Sequence, residues 1–244
     1  MSSTVQRLRA RWYPFGPDPL KEGFFGLISE RLRPGIRILD IGCGRGTIYP
    51  FPWNKYPDKY LVGIDPDPSA VQNPYVDEFV VLSSEADQRQ WPLADGMFDL
   101  VIARFVLEHV TTPLEFLENV RRVLKPGGEF LFSTPNRLHP ALIASRLLPH
   151  AAKQRILGAT LSTDAADIFP AFYRMNTAND IRRTVANCGG FEITGMKVGD
   201  SGPIGYLDFS LPTFLVAAVY YELTKRLQLE RHLGSSITGI LKKL

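Results

Sequence analysis

Two apolar rhythms alternate along the chain. Short aliphatic runs recur between stretches whose apolar residues return every three or four positions. The first rhythm suits strands buried on both faces, the second helices with one buried stripe. Asp18-Pro19 opens a predicted helix over residues 18–32 that sets Leu20, Phe24, Leu27 and Ile28 on one face and stops at Pro34-Gly35. Ile38, Leu39 and Ile41 form strand one. Pro50, Pro52 and Pro57 then interrupt the place of a crossover helix, so the first crossover must be short or irregular. Residues 60–64, closing on Asp65, then 79–82 and 98–103 read as strands two to four. Thr112-Pro113-Leu114-Glu115 has the form of a capping box, and its helix turns Leu117, Val120 and Leu124 inward before Pro126-Gly127-Gly128. Strand five covers 129–133.

Beyond Asn136 the alternation lapses. Residues 138–167 read as an insertion of one or two short helices. The rhythm returns with a helix over 177–188, a strand over 191–198, an apolar helix over about 212–227 and a last short strand over 236–241. Strands alternating with helices predict an α/β fold with a mostly parallel sheet, whose ligands lie at the carboxyl ends of the strands. The glycines after strand one, Asp65, Asp87 and Arg104 would all fall along that edge.

Composition narrows the function classes. With 244 residues, 45% of them apolar, the chain can bury a substantial core, and one domain over 1–244 is expected. Its net charge of +3 comes without long basic blocks, so no nucleic-acid partner is expected. Two cysteines, Cys43 and Cys188, form neither a disulfide framework nor a metal-ligand spacing, which suits a reducing cytoplasm. The arginine-bearing start lacks the apolar core of a secretory signal, and a transit peptide has weak support. The longest uncharged run, residues 209–221, is thirteen long, against about twenty for a membrane span. It reads first as a core helix or a dimer face; Lys225, Arg226 and Arg231 just beyond it also fit an apolar face resting on lipid, a peripheral membrane contact.

The chemistry concentrates in RILDIGCGRG, residues 37–46, where Gly42, Gly44 and Gly46 alternate directly after the first strand. Such a turn tolerates positive φ and lets a ligand approach the backbone. The dinucleotide fingerprint would need its third glycine where Thr47 stands, so the spacing departs from the nicotinamide pattern. A nicotinamide-dependent oxidoreductase remains one alternative, since Asp65 lies near the distance of a ribose-binding acid; a cofactor-binding scaffold without catalysis is another.

Four segments in order, RILDIGCGRG, LVGIDPDPSA, WPLADGMFDLVIARFVLEHV and LKPGGEFLFSTPN, resemble the class I S-adenosylmethionine-dependent methyltransferases, the group that includes ubiquinone and menaquinone biosynthesis enzymes. The resemblance runs from about Arg37 to Asn136. FPAFYRMNT and the apolar helix after it look like a bacterial branch associated with polysaccharide or secondary-metabolite pathways. The resemblance implies a Rossmann-like, seven-stranded, mostly parallel sheet with helices on both faces, an antiparallel last strand and a helical insertion after strand five. It implies an N-terminal helix or lid (1–33), a cofactor-binding core (34–136), the insertion (137–176) and a C-terminal part of the sheet (177–244).

It also implies S-adenosyl-L-methionine as cofactor. Asp40, Gly42, Cys43, Gly44 and Gly46 would line its methionine end, and Asp65 with Pro66 its ribose. Asp87 and Gln88 would meet the adenine, and Ala103 and Arg104 the methionine backbone. Trp91 stands where the family commonly has leucine, and the broken first crossover departs from the usual helix behind the loop.

The acceptor expected is a small molecule, glycan or lipid-linked group, methylated most plausibly at oxygen. His109, following strand four, is the candidate base; packing against or capping the 112 helix is its other reading. Glu108 points about 100° away on a helix and would not share its atom. Phe169, Phe172, Tyr173 and Arg174, with Trp12 and Tyr13 opposite, could wall the acceptor pocket or simply pack an insertion.

Overall fold

A computed structural model describes residues 3–13, 23–46, 51–83, 89–147, 170–199, 207–208 and 210–244. In chain order the helices are α1 Ser3–Trp12, α2 Gly23–Ser29, α3 Pro113–Val123, α4 Pro140–Leu147, α5 Ala178–Cys188, α6 Leu211–Arg226 and α7 Glu230–Leu233. The strands are β1 Arg37–Ile41, β2 Tyr60–Asp65, β3 Glu78–Val81, β4 Phe98–Arg104, β5 Leu124–Pro135, β6 Phe191–Val198 and β7 Ser236–Lys243. They form one seven-stranded sheet in the order β3-β2-β1-β4-β5-β7-β6. β1 to β5 pair in parallel, and β7 runs antiparallel to both β5 and β6. The strand order reverses between β1 and β4, which opens a crevice there at the carboxyl ends.

Strand periodicity sorts the core into two layers. Leu39, Ile41, Val62, Ile64, Val101, Ala103, Phe130 and Phe132 point to one face, against Phe116, Leu117 and Val120 of α3 and Ile181 and Val185 of α5. Ile38, Leu61, Leu100, Ile102 and Leu131 point to the other, against Ile28 of α2 and the aromatic pair Phe51 and Trp53. Helices therefore cover both faces, as an interior parallel strand requires. Between β1 and β2 the regular helical element among the described residues is the three-residue 3-10 turn Trp53–Lys55, in keeping with the prolines around it.

Several local expectations need correction. Thr112 does precede α3, but with φ of −125° and ψ of 78° its backbone is outside the usual N-cap conformation, and no side-chain cap hydrogen bond forms. Glu115 Oε2 is correspondingly buried without a partner among the described residues, so the capping box exists in sequence only. β3 is shifted one residue toward the N-terminus, and β5 begins at Leu124, directly after α3, with a register shift opposite Phe98 and Leu100. Thr177, by contrast, caps α5 by accepting from the Asp180 N–H at 3.0 Å. The start of the predicted 18–32 helix, and most of the predicted insertion, lie outside the described residues; α4 is the described part of that insertion.

The β6–β7 connection has a location that matters later. β6 is antiparallel to β7 and β7 to β5, so Val198 and Ser236 lie at the same edge as Pro135, the carboxyl edge. The segment 199–235 thus leaves and rejoins the sheet beside the crevice. Asn136 ties it down: its Nδ2 donates to the carbonyls of His232 and Gly234, each at 2.8 Å, and its own N–H donates to Ser235 O at 2.9 Å. No described helix is long and apolar enough to cross a membrane.

His139, 4% exposed, lies edge-on to Tyr220 at 5.1 Å and accepts the Ala141 N–H on Nδ1 at 3.2 Å. Burial pushes its pKa down from 6.5 to about 4. A histidine depressed in the native state contributes stability above its unfolded value, and that stability is lost as pH falls toward the native one. We expect about 2 kcal/mol to be lost from this source between neutral pH and pH near 4. His139→Asn retains an acceptor for Ala141 and should reduce that loss. Urea unfolding of both proteins across this range measures the difference.

Candidate functional site

The loop after β1 is shaped by its glycines. Gly42, Gly44 and Gly46 all have positive φ, of 67°, 48° and 69°. A Cβ on Gly42 would stand 2.6 Å from Val106 Cγ2, and one on Gly46 would stand 2.6 Å from Asn73 Oδ1. At Gly44 nothing among the described residues lies within 4 Å of such a Cβ. The alternation read in the sequence therefore has two causes, close packing at its ends and positive φ at all three glycines.

Asp65 closes β2 and holds the loop. Its Oδ2 accepts the Gly44 N–H and its Oδ1 the Asp67 N–H, both at 2.9 Å. Each oxygen keeps acceptor capacity for a further donor. Pro66 follows it, exposed. Burial raises the pKa of Asp65, against the lowering effect of its two backbone hydrogen bonds.

Asn73 forms the other clamp, donating from Nδ2 to the carbonyls of Cys43 at 3.0 Å and Gly44 at 3.1 Å while accepting the Tyr75 N–H. Sequence reasoning missed it; the available signal was Asn73-Pro74, a turn dipeptide after the second strand.

Asp40 is the anomalous group. It lies partly exposed on β1, makes no side-chain hydrogen bond to any described residue, and has its pKa pushed up to about 7 by burial and by the Asp65 carboxylate. Two acids on neighbouring strands, one without a donor, suit a ligand that brings positive charge. The Cys43 thiol, in contrast, is buried against Gly63, where a Cβ would come within 2.6 Å of its sulfur, and burial pushes its pKa up. Only the Cys43 backbone lies along the loop.

At the end of β4, Ala103 is fully buried in the core, so it too offers only backbone. Arg104 lies over the rings of Phe25 at 5.0 Å and Phe105 at 5.1 Å. Phe105 is 40% exposed with φ of 58°, a left-handed conformation uncommon for an aromatic residue, and its N–H donates to Ser133 O at 2.8 Å. Trp91 packs inside, 3% exposed and edge-on to Phe116 at 5.6 Å. Asp87, Gln88 and Phe169 lie outside the described residues.

The turn Leu107–His109 anchors the segment read as an acceptor wall. The Glu108 carbonyl accepts the N–H groups of Phe172 at 2.7 Å and Tyr173 at 3.0 Å, and Arg174 donates from Nη1 to Thr111 O at 2.6 Å. The Glu108 side chain is buried and accepts from Thr134 Oγ1 at 3.0 Å, which in turn accepts from Asn176 Nδ2 at 2.6 Å. Burial raises the pKa of Glu108. Thr134 and Asn176 were not singled out in the sequence, where nothing relates residues so far apart. The Glu108 carbonyl thus holds Phe172 and Tyr173 near the end of β4, and Thr111 holds Arg174.

His109 Nδ1 lies 2.8 Å from Pro170 O. A carbonyl only accepts, so Nδ1 carries the proton. Tyr13 lies elsewhere, edge-on to Tyr221 of α6 at 5.4 Å, with its pKa raised to about 12 by burial and then by Glu222. Trp12 stacks on Phe214 at 5.9 Å. The two halves of the expected aromatic wall thus have different supports: residues 172–174 on the β4 turn, Trp12 and Tyr13 on α6.

A methyltransferase-domain family model matches residues 21–172. The ubiquinone biosynthesis O-methyltransferase of Maricaulis maris is 32% identical over 159 residues, 55% of this chain and 61% of the relative. The thiol S-methyltransferase TMT1B of Homo sapiens is 38% identical over 108 residues, 40% of this chain and 41% of the relative. The chain thus spans about half the length of the curated relatives it matches. Among solved structures, a SAM-dependent methyltransferase from Mesorhizobium loti aligns with a TM-score of 0.55 at 17% identity, covering 92% of this chain and all of the other. One from Aquifex aeolicus aligns at 0.53 and 15%, covering 99% and 98%. At such identities the structural likeness speaks for the fold alone. With a family model matched over more than half of its length and this sheet order, the chain belongs to the class I S-adenosylmethionine-dependent methyltransferases.

Proposed function

We propose that the chain transfers the methyl group of S-adenosyl-L-methionine to an oxygen of a small-molecule, glycan or lipid-linked acceptor. The observation that carries the reading is Asp40, a carboxyl with no donor among the described residues, beside a left-handed glycine loop and next to a second acid at the end of β2. When bound, the cofactor supplies an electrophilic methyl on a positively charged sulfur. Asp40 and the backbone of Gly42, Cys43, Gly44 and Gly46 hold its methionine end. Asp65 takes ribose hydroxyls on its two oxygens, beside Pro66. The Ala103 and Arg104 backbone completes that wall, and Asp87 and Gln88 meet the adenine.

On the acceptor side, Phe172, Tyr173 and Arg174, pinned by the Glu108 carbonyl and Thr111, orient the incoming hydroxyl and limit water. His109 takes the hydroxyl proton on Nε2, its ring steadied by the Pro170 carbonyl. Tyr13, just after α1, packs against Tyr221 of α6. The donor's charge also separates this reading from a nicotinamide oxidoreductase, whose pyrophosphate would meet the Asp40 carboxylate at the glycine loop.

Cell extract incubated with methyl-labelled cofactor, with an Asp65→Ala control, should show a labelled acceptor only with the intact protein. Mass analysis of that product identifies the methylated atom. His109→Gln should lower kcat on it by roughly 100-fold and leave cofactor affinity unchanged, as general-base loss does. No label above control, together with tight NADH binding in calorimetry, would overturn the proposal; cofactor binding without any acceptor leaves the scaffold reading.

A further inference from the structure

The helix α6 is apolar on both sides. Phe214, Ala217, Ala218 and Thr224 face the interior, where Phe214 meets Trp12 of α1. Opposite them, Leu215 is 39% exposed, Val216 67%, Val219 58%, Leu223 51% and Leu227 64%. At about 100° per residue these five occupy one arc of roughly a third of the helix circumference. An aliphatic surface of this extent on a single helix face marks a contact site.

Its surroundings are basic. Arg226 projects from the same arc, Lys225 is exposed in the last turn about 80° outside it with its Nζ over the Tyr221 ring, Arg231 is exposed on α7, and α1 packs alongside with exposed Arg7 and Arg11 and no acid in its sequence. Trp12, 46% exposed, stands where the two helices meet. Among the described residues the acids nearby are Asp208, buried and ion-paired with Arg9 of α1, Glu222, hydrogen-bonded to Tyr13, and Glu230.

We propose that this face docks on a membrane surface carrying anionic lipids. Aliphatic side chains enter the acyl boundary, while Arg226, Lys225, Arg231 and Arg11 meet headgroup phosphates and Trp12 sits at the interface. Charge selects this occupant over a second copy of the chain. A two-fold contact would set the same basic rim against itself, whereas an anionic headgroup layer complements it. The segment that carries α6 leaves and rejoins the sheet at its carboxyl edge, the edge that also bears the crevice. The inference rests on this surface and is independent of the donor chemistry.

Flotation on phosphatidylcholine vesicles, with and without phosphatidylglycerol, tests it without turnover. The protein should float with the anionic vesicles at low salt and be released as salt rises. A Val219→Ser, Leu223→Ser double variant should bind roughly tenfold more weakly, with circular dichroism and cofactor affinity unchanged. A Lys225→Glu, Arg226→Glu variant should lose the preference for anionic vesicles even if the serine variant fails to fold. Wild-type protein that stays in the lipid-free fraction at low salt would overturn the inference. So would equal flotation by the charge variant, or a dimer in sedimentation equilibrium abolished by the serine pair.

Discussion

Asp40→Asn should make the protein more stable and bind its cofactor less well. Burial and the Asp65 carboxylate push Asp40 up to about 7, above its unfolded value of 3.8. For a carboxyl raised in this way, stability is fully present below the unfolded pKa and is lost as pH rises through the native one. At pH of about 8 the empty site holds an unfavourable charge that asparagine removes, for a gain of about 2 kcal/mol. This is about half of what the whole shift would carry, because solvent reaches part of the carboxyl. Affinity should move the opposite way, since the cofactor's ammonium and sulfonium charges favour an ionised partner. Wild-type affinity should fall as pH drops below about 7, while the variant stays weak and nearly flat, by roughly tenfold to 100-fold at pH 8. Calorimetric titration and urea unfolding at several pH values read both effects. A variant that loses stability, or binds as tightly as wild type at pH 8, would remove Asp40 from the site.

Asp65→Ala should abolish most cofactor binding by two routes at once. The carboxylate would take two ribose hydroxyls, and hydrogen bonds to a charged acceptor are worth about 1.5–3 kcal/mol each. The same oxygens hold the Gly44 and Asp67 N–H groups, so the substitution also frees the glycine cradle. Together these predict a loss of affinity of at least about 100-fold. The fold should survive, since Asn73 still clamps Cys43 and Gly44. Calorimetry measures the affinity and circular dichroism the fold; unchanged binding would mean that Asp65 serves the loop alone. Asp65→Asn separates the two routes, because an amide oxygen retains one backbone acceptor but brings no charge.

Much of the fold was legible because local chemistry and the sheet agree. Strand six was read at its observed bounds, and the interruption between β1 and β2 follows from proline alone. The glycine spacing declared a turn of positive φ, which all three residues have. Where prediction failed, local form was overruled by surroundings. Thr112 and Glu115 have the residues of a capping box, but the Thr112 backbone enters α3 outside the usual N-cap conformation. Cys43 belongs to the loop by position, yet its thiol packs inward because Gly63 on β2 leaves room for it.

By itself the sequence determined the order of strands and helices, the left-handed loop and the acid at the end of β2, since each depends on residues within a turn or two. Tertiary structure decided what stands beside that loop. Asn73 reaches it only once β2 is laid parallel to β1, and Asn176 meets Thr134, which in turn bonds Glu108, only when α5 is packed on the sheet. The apolar helix, read first as core, is half core and half surface, because β6 and β7 run in opposite directions and bring α6 to the carboxyl edge with one face unburied. Hydrophobic periodicity records that a residue is apolar; which element covers it is settled by strand direction, which no single segment encodes.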